Sequence, residues 1–379
     1  MKTLALRQIW SITCRTILPA MLALVLINGG ALAADSTATT PITWNAFVDA
    51  YYTRDFNDPT SRINTLMYYN QYENQISLSL ADLKVQKQAQ PVGFDVELGF
   101  GPTNDAINIG LGPTTVNILQ AYGTVVVPVG SGLTVDVGKF VTHMGYEVIP
   151  SQGNWNYSRS YLFSFAIPLY HTGVRLTYPL MSNLTAALHI LNGWNSVIDN
   201  NKFLTLGATL NYSVTPTTDL VLNGIWGHEN YTPIESGGRD VYDFILTQQV
   251  NDAFSVALNA DYGQAGTLGG LALWKGVAIY GRYAITSVSA LALRAEVYYD
   301  PTYVPPIPDV TTGGAYTTGV NIPKATLKEI TLTYEYHPYD PLLIRIEARD
   351  DLANGKAFES AGGIKSSQPT LTVGFVTMF

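Results

Sequence analysis

VGFDVELGF, residues Val92–Phe100, has a strict period of two. Val92, Phe94, Val96, Leu98 and Phe100 fall on one side of an extended chain, and Gly93, Asp95, Glu97 and Gly99 on the other. One face is wholly apolar and the other charged or minimal. Ile76, Leu78 and Leu80 oppose Gln75, Ser77 and Ser79 in the same way, and Leu133, Val135 and Val137 oppose Thr134, Asp136 and Gly138. Phe254 to Gly263, Leu291 to Val297 and Leu342 to Arg349 continue the pattern, with Asp261, Arg294, Glu296, Arg345, Glu347 and Arg349 on the polar rows.

Extending this reading along the chain gives sixteen strands, near 43–53, 74–87, 92–100, 116–127, 132–142, 170–179, 184–193, 203–213, 218–228, 240–250, 254–264, 274–286, 290–300, 326–337, 341–350 and 369–379. Each is close to the ~9–11 residues that a tilted strand needs to cross a bilayer. The connections alternate in length. Long ones, about 54–73, 101–115, 143–169, 194–202, 229–239, 265–273, 301–325 and 351–368, take turns with tight ones such as QAQP, NDA and HPYD. External loops and periplasmic turns alternate in this way in a transmembrane barrel.

The amino terminus supplies an address. Lys2, Arg7 and Arg15 precede or flank the apolar run Ile17–Ile27, and Ala31-Leu32-Ala33 fits signal-peptidase cleavage before Ala34. Residues 1–33 therefore read as a secretory signal peptide, and 34–379 as a single outer-membrane β-barrel. Loss of three cations from a chain whose formal charge is −8 leaves an acidic protein, unsuited to nucleic acid. The single cysteine, Cys14, lies in the signal, which excludes a disulfide framework or a thiolate metal site from the remainder. Only 13% of residues are charged, while tyrosine (24) and glycine (33) are abundant. This composition suits an envelope β-protein.

The expected fold class is all-β: a transmembrane antiparallel barrel of about sixteen strands with short periplasmic turns and long external loops. A soluble β-sandwich or propeller also alternates, but would carry a denser charged exterior. Leu371, Val373, Phe375 and the terminal Phe379 share one parity, an ending of the kind read by the outer-membrane assembly machinery. Aromatics near predicted strand ends, Trp44, Tyr52, Tyr212, Trp226, Tyr280, Tyr299, Tyr336 and Phe379, suit interfacial girdles. Sixteen strands leave an aqueous channel where eight would be filled. The function expected is thus a porin passing small hydrophilic solutes or ions in the bacterial outer membrane.

The third external loop, about 143–169, is apolar and irregular and holds only two formal charges, Glu147 and Arg159. By analogy of position with general porins it folds inward as a constriction, packing Trp155, Tyr157, Tyr161, Phe163 and Phe165 on the wall. The alternative is an outward loop packed on its neighbours or on another subunit. Glu147 and Arg159, with Asp95, Glu97, Asp136 and Arg175 from the inward rows, are candidate selectivity residues, since rings of charge set ion preference. Equally, Glu147 and Arg159 could pair to hold the loop's shape. An Arg159→Glu exchange is expected to alter ion selectivity only if the loop folds inward.

GKFVTHMGYEV (Gly138–Val148) followed by NWNYSRSYLFSFAIPLYHTGVRLTY (Asn154–Tyr178) resembles the putative β-barrel porin-2, OmpL-like family of bacterial outer-membrane proteins. Flanking agreement comes from YYTRDFNDP, from Asn74–Gly101 and from LNGWN (Leu191–Asn195). The resemblance covers essentially the whole chain after the signal; it implies a pore and names no solute. Expected partners are outer-membrane lipid, the assembly machinery through the Phe379 strand, small solutes or ions, and a second and third copy in a homo-trimer. No cofactor or metal is expected, because no phosphate loop, zinc spacing or calcium loop is present. A non-conducting adhesin or structural barrel is the alternative. A barrel hydrolase would have to use Ser160 with His143 or His171, and no GxSxG elbow supports it.

Overall fold

In the computed structural model the described residues are 40–108, 117–229, 235–267, 270–300, 308–309, 314–315 and 325–379. The signal segment, 1–33, lies outside them. Sixteen antiparallel strands close into one barrel. They are β1 (Ile42–Asp55), β2 (Ile76–Lys87), β3 (Val92–Phe100), β4 (Ile118–Val127), β5 (Leu133–Val141), β6 (Tyr170–Met181), β7 (Leu184–Leu191) and β8 (Thr205–Thr215), then β9 (Thr218–His228), β10 (Glu235–Gln249), β11 (Phe254–Thr267), β12 (Gly270–Thr286), β13 (Ser289–Asp300), β14 (Ala325–Tyr339), β15 (Leu342–Ala353) and β16 (Ser367–Met378). Closure is made by β1 against β16, from Phe47 opposite Met378 to Asp55 opposite Thr370. Reciprocal bonds between Ala46 and the terminal Phe379 extend that seam, at 3.0 and 2.8 Å.

Burial inverts the order of a soluble protein. On β13, Leu293 is 47% exposed while its neighbours Arg294 and Glu296 are 0% and 3% exposed. On β16, Leu371, Val373 and Phe375 are exposed and Thr370 and Thr372 are buried. A soluble sandwich would bury those leucines, so the apolar rows face lipid and the charged rows face the lumen. Among the described residues no helix is long and apolar enough to cross a membrane; the strands do so instead. An Arg at Leu293 is expected to cost about 2–4 kcal/mol of barrel stability if the residue sits near the bilayer midplane. Denaturant titration of the protein folded into lipid vesicles measures it; an unchanged midpoint would refute the lipid-facing assignment.

Most exposed aromatics gather at the short-turn end of the wall. Trp44, Tyr212, Tyr283, Tyr336, Tyr339 and Phe379 lie near the short turns, while Tyr242 and Tyr262 pair with each other midway along β10 and β11. Tyr280 is an exception to the girdle expected from sequence. It points inward, is 2% exposed and meets the Tyr146 ring at 4.7 Å. Leu80 also departs from its expected row. A bulge between Asp49/Leu80 and Ala50/Leu78 inserts Ser79 as an unpaired residue, which flips the parity of β2 and turns Leu80 inward at 1% exposure.

Most of the long connection expected at 265–273 is strand, β11 running to Thr267 and β12 starting at Gly270, with 268–269 outside the described residues. Thr267 still pairs with Gly270, and β10 begins at Glu235, within the loop expected at 229–239. The glycine-rich stretch there shows no large/small alternation, yet continuing the ladder satisfies its backbone groups. Elsewhere the rhythm holds: 56–75, which folds back on an Ile63–Tyr72 bridge, 142–169 and 354–366 are long connections at one end. A six-residue helix, α1 (Pro102–Ile107), opens the connection after β3, and a hairpin of Phe358–Ser360 with Gly363–Lys365 stands in the last.

Candidate functional site in the barrel lumen

The connection from β5 to β6 runs along the inside of the wall. Its first turn leaves His143 stacked on His189 of β7 at 4.0 Å. Gly145 N–H then donates to Asp243 of β10 at 3.1 Å, and Tyr146 N–H to Asn259 of β11 at 3.2 Å. Beyond a 3₁₀ turn at Ser151–Gly153, Asn156 donates to Thr333 of β14, and the Tyr157 and Ser158 amides donate to Glu347 of β15 at 2.6 and 3.0 Å. The Tyr157 hydroxyl reaches Asp49 of β1 at 2.8 Å. A π-helical turn, Leu162–Ala166, carries the segment back. Glu296 accepts the Tyr161 and Leu162 amides at its start, and Trp274 Nε1 donates to the Ala166 carbonyl at its end, 2.9 Å.

The inward charges therefore have a job that alternation alone does not reveal. A segment with little regular structure carries unpaired amides and carbonyls, and each would be costly to bury alone. Here wall carboxylates take the amides, and wall arginines take the carbonyls. Arg345 donates to the carbonyls of Ser151 and Asn154, Arg349 to that of Arg159, and Arg294 to that of Ser158. Charge-assisted bonds of this kind are about twice as strong as neutral ones. The loop aromatics fill the remaining gaps. Tyr161 stacks on Phe165, Phe165 meets Tyr68 and Tyr298, Phe163 meets Tyr69, and half-buried Trp155 stands edge-on to Tyr146. Burial pushes the Tyr157 and Tyr161 hydroxyls well above the usual phenol range, so each donates, uncharged, to Asp49 or Asp351.

Glu147 and Arg159 are both 4% exposed and do not pair with each other. Glu147 binds Arg294 at 2.7 Å and accepts the amide and hydroxyl of Ser160. Arg159 donates to the carbonyls of Val148, Ile149 and Tyr157 and lies over the Tyr69 ring. The other four candidates sit on the wall from β3 to β6. Lys84 joins Asp95 at 2.9 Å and Glu97 at 3.7 Å, and Arg175 joins Asp136 at 2.8 Å.

Between the loop and this wall is a cavity of about 420 Å³. Asp82, Lys84, Glu97 and Gln120 line one side, and Val148, Pro150 and Phe163 the other. Asp82, Arg294, Glu296, Glu347 and Asp49 belong to the site without having been singled out as candidates from sequence. The signal that could have found several of them is the run of consecutive inward charges, Arg345, Glu347, Arg349 and Asp351 on β15, matched by Arg294 and Glu296 on β13.

Ser160 and His171 are held by different partners. The serine hydroxyl donates to Glu147, and the His171 ring meets His143 at 5.2 Å with its Nε2 3.3 Å from Thr142 Oγ1. No hydrogen bond joins serine to histidine among the described residues. Nor, among those residues, does any group of three or more His, Cys, Asp or Glu side chains form a plausible metal site.

Comparison with known proteins agrees with this architecture. The barrel is similar to the anion-selective porin of Comamonas acidovorans (11% identity, 90% of this chain and 100% of that chain, TM-score 0.60). It is also similar to the outer-membrane channel DcaP of Acinetobacter baumannii (11%, 91% and 99%, TM-score 0.59) and to the trimer form of OmpT, an outer-membrane protein of Vibrio cholerae (10%, 90% and 100%, TM-score 0.54). At such identities the likeness is one of fold. No curated protein matches the sequence. Residues 41–379 match the putative β-barrel porin-2, OmpL-like family. The chain belongs to that family, and is an outer-membrane channel protein.

Proposed function

We propose that ions and small hydrophilic solutes cross the outer membrane by diffusion through the lumen, with the segment Thr142–Leu169 as its constriction. The observation that carries this reading is the lopsided seating of the segment. Its polar anchors lie on β10, β11, β13, β14, β15 and β1, while the cavity it leaves lies against β1–β4. Solutes then pass between the loop and that wall. Asp82, Asp95 and Glu97 outnumber Lys84 there, which favours cations, because low-dielectric walls focus the field. Glu147 and Arg159 act mainly by holding the loop, and Arg175 with Asp136 forms a balanced pair. Residues 1–33 serve as the export signal, the Phe379 strand is the feature read during assembly, and a homo-trimer is the expected state.

Planar-bilayer recording tests the function. Discrete conductance steps in potassium chloride, with a reversal potential favouring potassium, are expected. A closed membrane would refute the channel and favour an adhesin or structural barrel, which would bind through its outer loops instead.

A further inference from the structure

We infer that the passage is built for amphipathic organic cations, solutes with an ammonium group at one end and an apolar body. This inference rests on the channel reading above and adds the chemical class. The two sides of the cavity differ in kind. On the wall, Asp82, Glu97 and the adjacent Asp95 face a single cation, Lys84, which is committed to Asp95 at 2.9 Å. Glu97 takes the Gln120 amide at 2.6 Å. Asp82 is 7% exposed and its Oδ2 has no hydrogen-bond partner, although it lines the cavity. The Asp82 and Glu97 carboxyls lie against each other, and two buried carboxylates so close are costly until a cation arrives between them.

The loop side offers one donor, the Gln152 amide, and is otherwise apolar at its lip. Val148 is 43% exposed, Pro150 half-buried, and Phe163 and Ile149 line the cavity behind them. The loop's own charges are already committed, Glu147 at the cavity's edge to Arg294 and Arg159 to three carbonyls. A hydrated inorganic ion gains nothing from Val148 and Pro150, and a sugar ringed with hydroxyls would find on the loop side only Gln152 to meet them. An anion meets the carboxylates. A primary ammonium on an apolar body supplies N–H donors to Asp82 and covers the apolar lip, removing both surfaces from water.

The test is block of the potassium current of the full-length protein in planar bilayers by benzylammonium, ethanolammonium and benzoate. Benzylammonium is expected to reach half-block at a concentration at least about fivefold below ethanolammonium, in line with partial burial of an aromatic ring, and benzoate to block neither sooner nor deeper than chloride. Asp82→Asn, which keeps the side-chain shape, should raise the half-blocking concentration of both ammonium ions. Val148→Ser, on the exposed lip, should erase the difference between them and leave ethanolammonium unchanged. Equal block by the two ammonium ions, or block by benzoate at the benzylammonium concentration, would overturn the inference while leaving the channel standing. Absence of potassium current would overturn the channel reading and this inference with it.

Discussion

Arg294→Met is expected to unseat the internal loop while leaving the barrel closed. Arg294 is fully buried and binds Glu147 at 2.7 Å, Glu329 at 2.6 Å and the Ser158 carbonyl at 2.6 Å. Methionine fills similar space but strands two carboxylates, and breaking a buried pair from one side costs about 3–5 kcal/mol. The barrel ladder does not pass through these atoms, so the cost falls on the docking of the loop. Single-channel conductance should rise and become noisy, and the heat-induced mobility shift in detergent gels should move to lower temperature. Adding Glu147→Gln and Glu329→Gln removes the stranded charges and should restore much of the quiet wild-type current. Unchanged conductance in the single variant would show that the loop does not restrict the passage.

Gly374→Val attacks the same seat without altering any charge. A Cβ at this inward position of β16 would stand 2.4 Å from both Cδ2 and Cε2 of Tyr157. That ring is 1% exposed, its hydroxyl is held by Asp49 and its amide by Glu347, so it cannot swing aside cheaply. Overpacking of this kind costs about 1–3 kcal/mol, and relief comes by lifting the loop from the wall. Larger conductance with unchanged cation preference is expected. Gly281→Val is the control: it faces lipid, where the nearest atom to a new Cβ is Phe254 Cε2 at 3.7 Å, and it should conduct as the wild type does. Equal behaviour of the two variants would argue against the Tyr157 contact as a restraint.

The architecture was legible because strand alternation is local. Val92–Phe100 alone assigns two faces, and repetition of that assignment through β16 yields a barrel with a charged interior. Sequence periodicity cannot register a local bulge, which is why Leu80 was expected on the lipid side, nor a ladder that continues through glycines beyond Ala265. Tyr280 was misplaced for a related reason: a tyrosine near a strand end suits an interface or a buried contact equally well, and only its inward parity, shared with Ala278, separates them. The internal loop is the harder case. Its composition marks it as apolar and irregular, but its partners are far away in the chain; Tyr157 finds Glu347 across 190 residues. No local pattern reports such a pairing, so the sequence leaves Glu147 and Arg159 open as selectivity charges or as a mutual pair holding the loop, and does not name the partners they have, Arg294 and three loop carbonyls.

That distance also bears on the order in which the protein is made whole. The loop leaves β5 and returns at β6, yet its seats lie on β13, β14 and β15 and its last anchor on β1. Contacts of such long sequence separation form late, because the entropy of closing the intervening chain must be met first. Until the final strands arrive, the loop has nowhere to lodge and the carboxylates waiting for it stand in water. Docking of the loop is therefore expected to follow the arrival of the last strands, and an unfinished barrel would lack the internal segment that the completed one holds.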